Sequence, residues 1–221
     1  MKKEDVHARI QEIGIIPAVR LYSAEDALFA AEAVCGAGVP IVEVTMTIPG
    51  AVKLIYELTR QSPGISVGAG TVLDVDTAHR CLDAGASFIT TTGLDLDVVN
   101  FALKRSVVVF PGACTPTEAL AAWKAGSDFV KIFPCSAMGG AGYIRALKGP
   151  FPQMPMIASG GVNQQTAGDF ILAGAEALGI GRDLIHQDAI RRREVGWIQE
   201  LARRYVRMVS QARSELKEHV S

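Results

Sequence analysis

The chain has 221 residues, 49% of them in the hydrophobic set, and its 22 Lys and Arg nearly balance its 23 Asp and Glu. This length fits one large domain or two small ones, and the charge balance argues against a nucleic-acid binder, which carries a basic excess. No run approaches the roughly 18 consecutive apolar residues of a membrane span, and the polar Met1-Lys-Lys-Glu-Asp5 start lacks the pattern of a secretory signal, so a soluble cytoplasmic protein without membrane partners is expected.

In chain order, an N-terminal helix is expected before the first strand-like run, Ile15 to Val19. Ser23 is placed to cap a helix over 24–36, Ile41 to Thr45 forms the second strand, and a helix follows over 50–61. Ile65 to Gly70 is the third strand and Asp74 opens a helix over 74–84. Phe88 to Thr91 is the fourth strand, with a helix over 95–104. After the fifth strand, Val107 to Phe110, Thr115-Pro-Thr-Glu118 has the side chains of a capping box for a helix over 115–125. Phe129 to Phe133 is the sixth strand, with a helix over 140–148. Met156 to Ser159 is the seventh, Asn163 caps a helix over 163–173, and Ala177 to Gly181 is the eighth. Trp197, Ile198, Leu201, Tyr205, Met208 and Val209 give the last segment an apolar face, so a closing helix with a solvated basic start at Arg191-Arg192-Arg193 is expected.

Four of these helices end in Ala-Gly before a strand, at Ala37-Gly38, Ala84-Gly85, Ala125-Gly126 and Ala173-Gly174, where glycine suits a left-handed cap. The copies precede the second, fourth, sixth and eighth strands. Eight parallel strands with helical crossovers close most simply into an α/β (β/α)8 TIM barrel, a single domain over 1–221. If the repeat sets a common register, Glu43, Thr90, Lys131 and Gly179 stand at equivalent heights on alternate strands. Glu43 and Lys131 then point into the centre from opposite walls.

A lysine inside Phe129-Val-Lys-Ile-Phe133 is anomalous for a buried parallel strand, where near-continuous apolar residues are expected. Withdrawal from water favours a neutral amine, the form that attacks a carbonyl and makes a Schiff base. Glu43, within Ile-Val-Glu-Val-Thr45, is anomalous for the same reason and suits proton transfer. The alternative is a buried ion pair that only sets register. Arg20, ending the first strand, is either a rim residue in water or a fork for a substrate carboxylate. Ser159-Gly160-Gly161 and Gly179-Ile-Gly181-Arg182 end the seventh and eighth strands, where barrels of this class often hold phosphate on backbone amides. Gly68-Ala-Gly70-Thr71 puts a hydroxyl at the barrel mouth. The four cysteines (Cys35, Cys81, Cys114, Cys135) and four histidines (His7, His79, His186, His219) lack ligand spacing, so no metal and no cofactor is expected.

Six motifs in order carry a resemblance: Glu43-Val-Thr-Met-Thr47, Gly68-Ala-Gly-Thr-Val72, Phe110-Pro-Gly-Ala113, Val130-Lys-Ile-Phe-Pro134, Tyr143-Ile-Arg-Ala-Leu-Lys-Gly-Pro150 and Gly160-Gly-Val162. Together, over about residues 10 to 185, they resemble the family of 2-keto-3-deoxy-6-phosphogluconate (KDPG) aldolase and 4-hydroxy-2-oxoglutarate (KHG) aldolase. The resemblance implies a metal-independent class I aldolase, a homotrimer, that splits a 4-hydroxy-2-keto acid into pyruvate and an aldehyde. It assigns Schiff-base formation to Lys131, acid–base work to Glu43, and the pyruvyl carboxylate to Thr71, with Phe133 following the lysine as in the relatives. Substrate phosphate falls to Gly160, Gly161 and the end of the eighth strand, Gly181-Arg182.

Three departures stand out. Thr47 occupies a position where the best-known members carry arginine, although one branch pairs a threonine there with an arginine like Arg20. Arg182 replaces a serine, which either strengthens a phosphate grip or turns the pocket toward a carboxylate. Ser159 and Thr92 replace a threonine and a proline. Two other classes remain open at this point: a phosphosugar isomerase or epimerase, with Glu43 as base and Lys131 as an electrostatic aid, and a non-catalytic ligand-binding barrel.

Overall fold

The computed structural model describes residues 1–218; His219 lies outside the described residues. In chain order the helices are α1 (Lys3–Ile13), α2 (Ala24–Cys35), α3 (Ala51–Gln61), α4 (Val75–Asp83), α5 (Leu96–Lys104), α6 (Pro116–Lys124), α7 (Ala141–Lys148), α8 (Ala167–Leu172), α9 (Gln187–Arg191) and α10 (Val195–Glu218). The strands are β1 (Ile15–Val19), β2 (Ile41–Thr45), β3 (Ser66–Gly70), β4 (Phe88–Thr90), β5 (Val108–Phe110), β6 (Gly112–Ala113), β7 (Val130–Ile132), β8 (Met156–Ser159) and β9 (Ala177–Ile180). All pair in parallel in the order β5-β4-β3-β2-β1-β9-β8-β7-β6.

β5 falls within the expected fifth strand, Val107 to Phe110, and the fifth strand position extends past it into β6, beyond Pro111. Proline has no N–H to give to a ladder, so the run is interrupted there. Its carbonyl still accepts from the Lys131 N–H at 2.9 Å, while the Val109 carbonyl accepts from the Asp128 N–H at 3.0 Å. These bonds join the fifth strand to the sixth and, with the β4–β5 ladder on its other side, close the barrel.

The pairing also gives the stagger. Glu43 is level with Gly68 and Gly68 with Phe88, two residues short of Thr90; Thr90 is level with Phe110, two short of Gly112, the partner of Lys131. Lys131 leads through Ile157 to Ala177, two short of Gly179, and Gly179 pairs with Ile16, two short of Ala18, which pairs with Glu43. One circuit of eight strand positions thus shifts the register by eight residues, the shear of a (β/α)8 barrel. The four Ala-Gly glycines, Gly38, Gly85, Gly126 and Gly174, all have positive φ, between 87° and 104°, as the repeat requires.

Below Glu43 and Lys131 the interior is filled by aromatic rings. Phe88 stacks on Phe110 at 5.4 Å between centroids, and Phe110 meets Phe129 edge-on at 6.2 Å. Gly68 makes room, since a Cβ there would strike the Phe88 ring. α1 seals that end: His7 stacks on Phe129 at 4.6 Å, Lys3 pairs with Asp128 at 2.9 Å, and Arg9 donates to the Gly64 carbonyl at 2.8 Å and to Ser66 Oγ at 3.0 Å. With the bottom packed, the opposite end, beyond the C-terminal ends of the strands, is where ligand can enter.

Ser23, Asp74 and Thr115 cap α2, α4 and α6 as expected, and Glu118 completes the Thr115 capping box. Asn163 differs. Its side chain accepts from the N–H groups of Gln165 and Thr166, forming a turn that delays α8 to Ala167. The expected basic start of the closing helix also differs: Arg191 ends the short α9, Arg193 sits in the turn with φ 54°, and α10 begins at Val195. Arg193 is not merely solvated. It pairs with Glu25 at 2.7 Å and Asp26 at 3.0 Å and lies over the Phe29 ring, tying this turn to α2. α10 buries Ile198, Leu201, Ala202, Tyr205, Val209 and Ala212, the helical periodicity of a face laid on the barrel. Among the described residues no helix is long and apolar enough to cross a membrane.

Candidate active site

Glu43 and Lys131 both point into the barrel and are 4% and 5% exposed. Lys131 Nζ stands 3.8 Å from Glu43 Oε2 and donates to Thr90 Oγ1 at 3.2 Å. Three members of the expected layer therefore meet. A buried pair of this kind seldom adds net stability, yet losing one partner strands the other charge and costs about 3–5 kcal/mol.

Gly70 is the reason Glu43 fits. Its Cα faces the carboxylate so closely that any Cβ would overlap the Glu43 side chain. Thr71, next in the chain, carries φ 58°, an uncommon conformation for a β-branched residue, with a cost of roughly 1–3 kcal/mol. That backbone turns its hydroxyl to the mouth, where Arg20 Nη2 donates to Thr71 Oγ1 at 3.4 Å. Arg20 is two residues beyond Ala18, the partner of Glu43, so it stands above the carboxylate on the same face of β1.

A cavity of about 190 Å³ opens at the mouth and is bordered by Arg20, Phe133, Ser159, Gly160, Gly161, Gly181 and Arg182, together with Gly179 and Asp183. Seven of the expected site residues thus converge on one space, drawn from the ends of β1, β7, β8 and β9. Phe133 joins it to the layer below, its ring centroid 5.6 Å from Lys131 Nζ. Gly179 keeps space for Ser159, whose Oγ a Cβ at that position would approach at 2.7 Å. The carbonyl of Gly181 accepts from the N–H groups of Leu184 and Ile185, which leaves the chain around Arg182 turned as the start of a helix.

Thr47 does not border this cavity. It is exposed on the loop after β2, and its hydroxyl shares a 2.9 Å hydrogen bond with Thr45. Thr92 supports the site from outside, its backbone packed against Gly112, the partner of Lys131. Two further residues, Thr90 and Gly70, contribute to the site. Thr90 was marked by the same Ala-Gly register that placed Glu43 and Lys131; the close approach at Gly70 has only the Gly-Ala-Gly spelling as a signal. Among the described residues no group of three or more His, Cys, Asp or Glu side chains is arranged to hold a metal ion.

The buried thiols Cys81 and Cys135 do not line the mouth cavity, and burial pushes them up, Cys81 to about 11 and Cys135 to about 12. They stay protonated and unreactive at neutral pH.

Comparison with known proteins gives a consistent picture. The family model described as "KDPG and KHG aldolase" matches residues 6–201. The chain is 32% identical over 161 residues to the 2-dehydro-3-deoxy-phosphogluconate aldolase of Pseudomonas aeruginosa, covering 73% of each chain. It is 31% identical over 193 residues to the KHG/KDPG aldolase of Escherichia coli K12, covering 87% of this chain and 90% of the relative. Among solved structures, KDPG aldolase of Legionella pneumophila, with pyruvate captured as a covalent carbinolamine, superposes with a TM-score of 0.82 at 29% identity, covering 89% of this chain and 95% of that one.

Proposed function

Because this chain belongs to the KDPG and KHG aldolase family, we propose that it is a class I aldolase, a carbon–carbon lyase, in which Lys131 is the Schiff-base nucleophile and Glu43 the general acid and base. One observation carries the assignment of roles. An amine and a carboxylate 3.8 Å apart are held inside the barrel above a layer of phenylalanine rings, beneath a mouth that carries two guanidinium groups. The carbinolamine of pyruvate captured in the Legionella relative is the species this arrangement would form.

In cleavage, neutral Lys131 Nζ adds to C2 of a 4-hydroxy-2-keto acid and an N–H proton passes to the C2 oxygen, giving the carbinolamine. Glu43 protonates the departing hydroxyl, water leaves, and an iminium remains. The Glu43 carboxylate then takes the C4 hydroxyl proton. The C3–C4 electron pair moves into the iminium, releasing the aldehyde and leaving an enamine. Glu43 returns the proton to C3, and hydrolysis frees pyruvate and Lys131.

Arg20 and Thr71 bind the pyruvyl carboxylate, Phe133 and Ser159 wall the pocket, and Gly160, Gly161, Gly181 and Arg182 receive the distal group. The preferred substrate is 2-keto-3-deoxy-6-phosphogluconate, giving glyceraldehyde 3-phosphate; 4-hydroxy-2-oxoglutarate, giving glyoxylate, is the second. The chain acts as one catalytic domain, in the cytoplasm, as a homotrimer. Leu73 on the loop after β3 and Val75 and Leu96 at the starts of α4 and α5 are exposed and supply apolar surface for the subunit contact.

The test is borohydride reduction in the presence of pyruvate followed by peptide mass analysis. A pyruvyl adduct on Lys131, absent in Lys131→Met, is expected. A parent protein that turns over keto acid yet forms no adduct would overturn the Schiff-base assignment and favour Glu43 acting as a simple base.

A further inference from the structure

The loop that follows the Lys131 strand is clipped to the glycine pair after β8. Cys135 N–H donates to the Ser159 carbonyl at 2.8 Å and Ser136 N–H to the Gly160 carbonyl at 3.0 Å, while Ser136 Oγ donates to the Gly161 carbonyl at 2.8 Å. Both glycines have positive φ, 85° and 86°, and a Cβ on Gly161 would overlap the Ser136 side chain. These contacts decide where the amides point. In a trans peptide the C=O and the following N–H lie on opposite sides. With the Gly160 and Gly161 carbonyls both turned to Ser136, the N–H groups of Gly161 and Val162 face away from it, and no described residue accepts from either. Both residues border the mouth cavity. Successive amides turned to one side form a concave donor pair suited to an anion.

We propose that Ser136 is a positioning residue for the distal anion: its hydroxyl holds the Gly161–Val162 peptide so that two backbone amides face the phosphate of the substrate. Ser136 itself does not touch the substrate. This rests on the reading of Gly160 and Gly161 as the distal subsite and adds the group that orients it. Without the hydroxyl, the Gly161–Val162 peptide loses the bond that fixes its tilt, and the glycine on its N-terminal side imposes little preference on its own ψ.

The test compares the parent, Ser136→Ala and Ser136→Thr in three measurements: steady-state cleavage of 2-keto-3-deoxy-6-phosphogluconate, competitive inhibition by inorganic phosphate, and the pyruvate concentration that half-saturates borohydride trapping. For Ser136→Ala, KM for the phosphorylated substrate and Ki for phosphate should both rise about fivefold, equivalent to ~1 kcal/mol for one hydrogen bond. Its kcat should stay within about twofold and pyruvate trapping should not move, because pyruvate has no distal group. Ser136→Thr, which keeps the hydroxyl, should restore KM toward the parent value. An unchanged KM in Ser136→Ala overturns the proposal, as does a loss of pyruvate trapping that matches the loss of phosphate affinity, which marks a general folding role. If phosphate fails to inhibit even the parent, the distal-subsite reading itself falls, a result separable from a failure confined to Ser136.

Discussion

At the scale of single residues, the site depends on what is missing as much as on what is present. Gly70 contributes no side chain, and that vacancy is what Glu43 occupies. Gly70→Ala should push the carboxylate out of reach of Lys131 and lower kcat/KM by about a hundredfold, since a displacement near 1 Å costs that much. Overpacking should also lower stability by about 1–3 kcal/mol. Parent-like turnover in this variant would show that Glu43 does not need its present position. Arg182 is the second residue-scale determinant. It and Arg20 border the same cavity, so the mouth carries two guanidinium groups, which in the proposed function serve the two anionic ends of the substrate. Arg182→Ser should raise KM for the phosphorylated substrate about tenfold or more while changing 4-hydroxy-2-oxoglutarate cleavage less, given ~1.5–3 kcal/mol for a hydrogen bond to a charged group. An equal effect on both substrates would reject a phosphate-selective role.

At the scale of elements, capping is tied to the placement of β6 and the site beside it. The Glu118 carboxylate accepts from Cys114 N–H at 2.7 Å and Thr115 N–H at 2.8 Å, just after the β6 half of the broken fifth strand. These backbone hydrogen bonds, the first to Cys114, hold its carboxyl below the ordinary carboxylate range. The folded state therefore prefers the ionised form, so the stabilisation is complete above the carboxyl's unfolded value and is lost as pH falls through the folded one. Thermal unfolding of Glu118→Gln against the parent should show the parent more stable at pH 7, by about 0.5 kcal/mol or less because solvent screens this exposed carboxylate, with the gap closing below the ordinary carboxylate range near pH 4. A gap that persists at pH 3 would locate the effect in packing instead. The same scale explains two departures from the expected elements. Pro111 divides a strand because it cannot donate, and Asn163 forms a turn because its side chain competes for the amides that would otherwise open α8.

For the whole molecule, closure gives the barrel two unlike ends. One is filled by Phe88, Phe110, Phe129 and α1, and the other retains the cavity. Leu73, on the loop after β3, is 64% exposed and Leu96, at the start of α5, is 52% exposed, both at the open end. Apolar side chains so placed suit burial against another copy. Sedimentation of the parent should give a trimer, and Leu73→Asp combined with Leu96→Asp should shift it toward monomer; a monomeric parent would remove the assembly from the proposal.

Local features determined much of this in advance. Strand and helix periodicities, the caps at Ser23, Asp74 and Thr115, and the Ala-Gly repeat are properties of short segments, and each encodes its own geometry without help from distant residues. Because barrel strands repeat one unit, a shared register even placed Glu43 beside Lys131 from positions 88 residues apart. What needed the tertiary structure was everything that passes between units. The close approach of Gly70 to Glu43, the link from Ser136 to Gly161 and the attachment of Arg193 to α2 are contacts across chain segments, and the absence of Thr47 from the cavity lining follows from the same packing. Sequence specifies which faces are apolar and where the backbone turns. Which side chains then occupy the same few ångströms depends on stagger, and stagger is set only when the last strand pairs with the first.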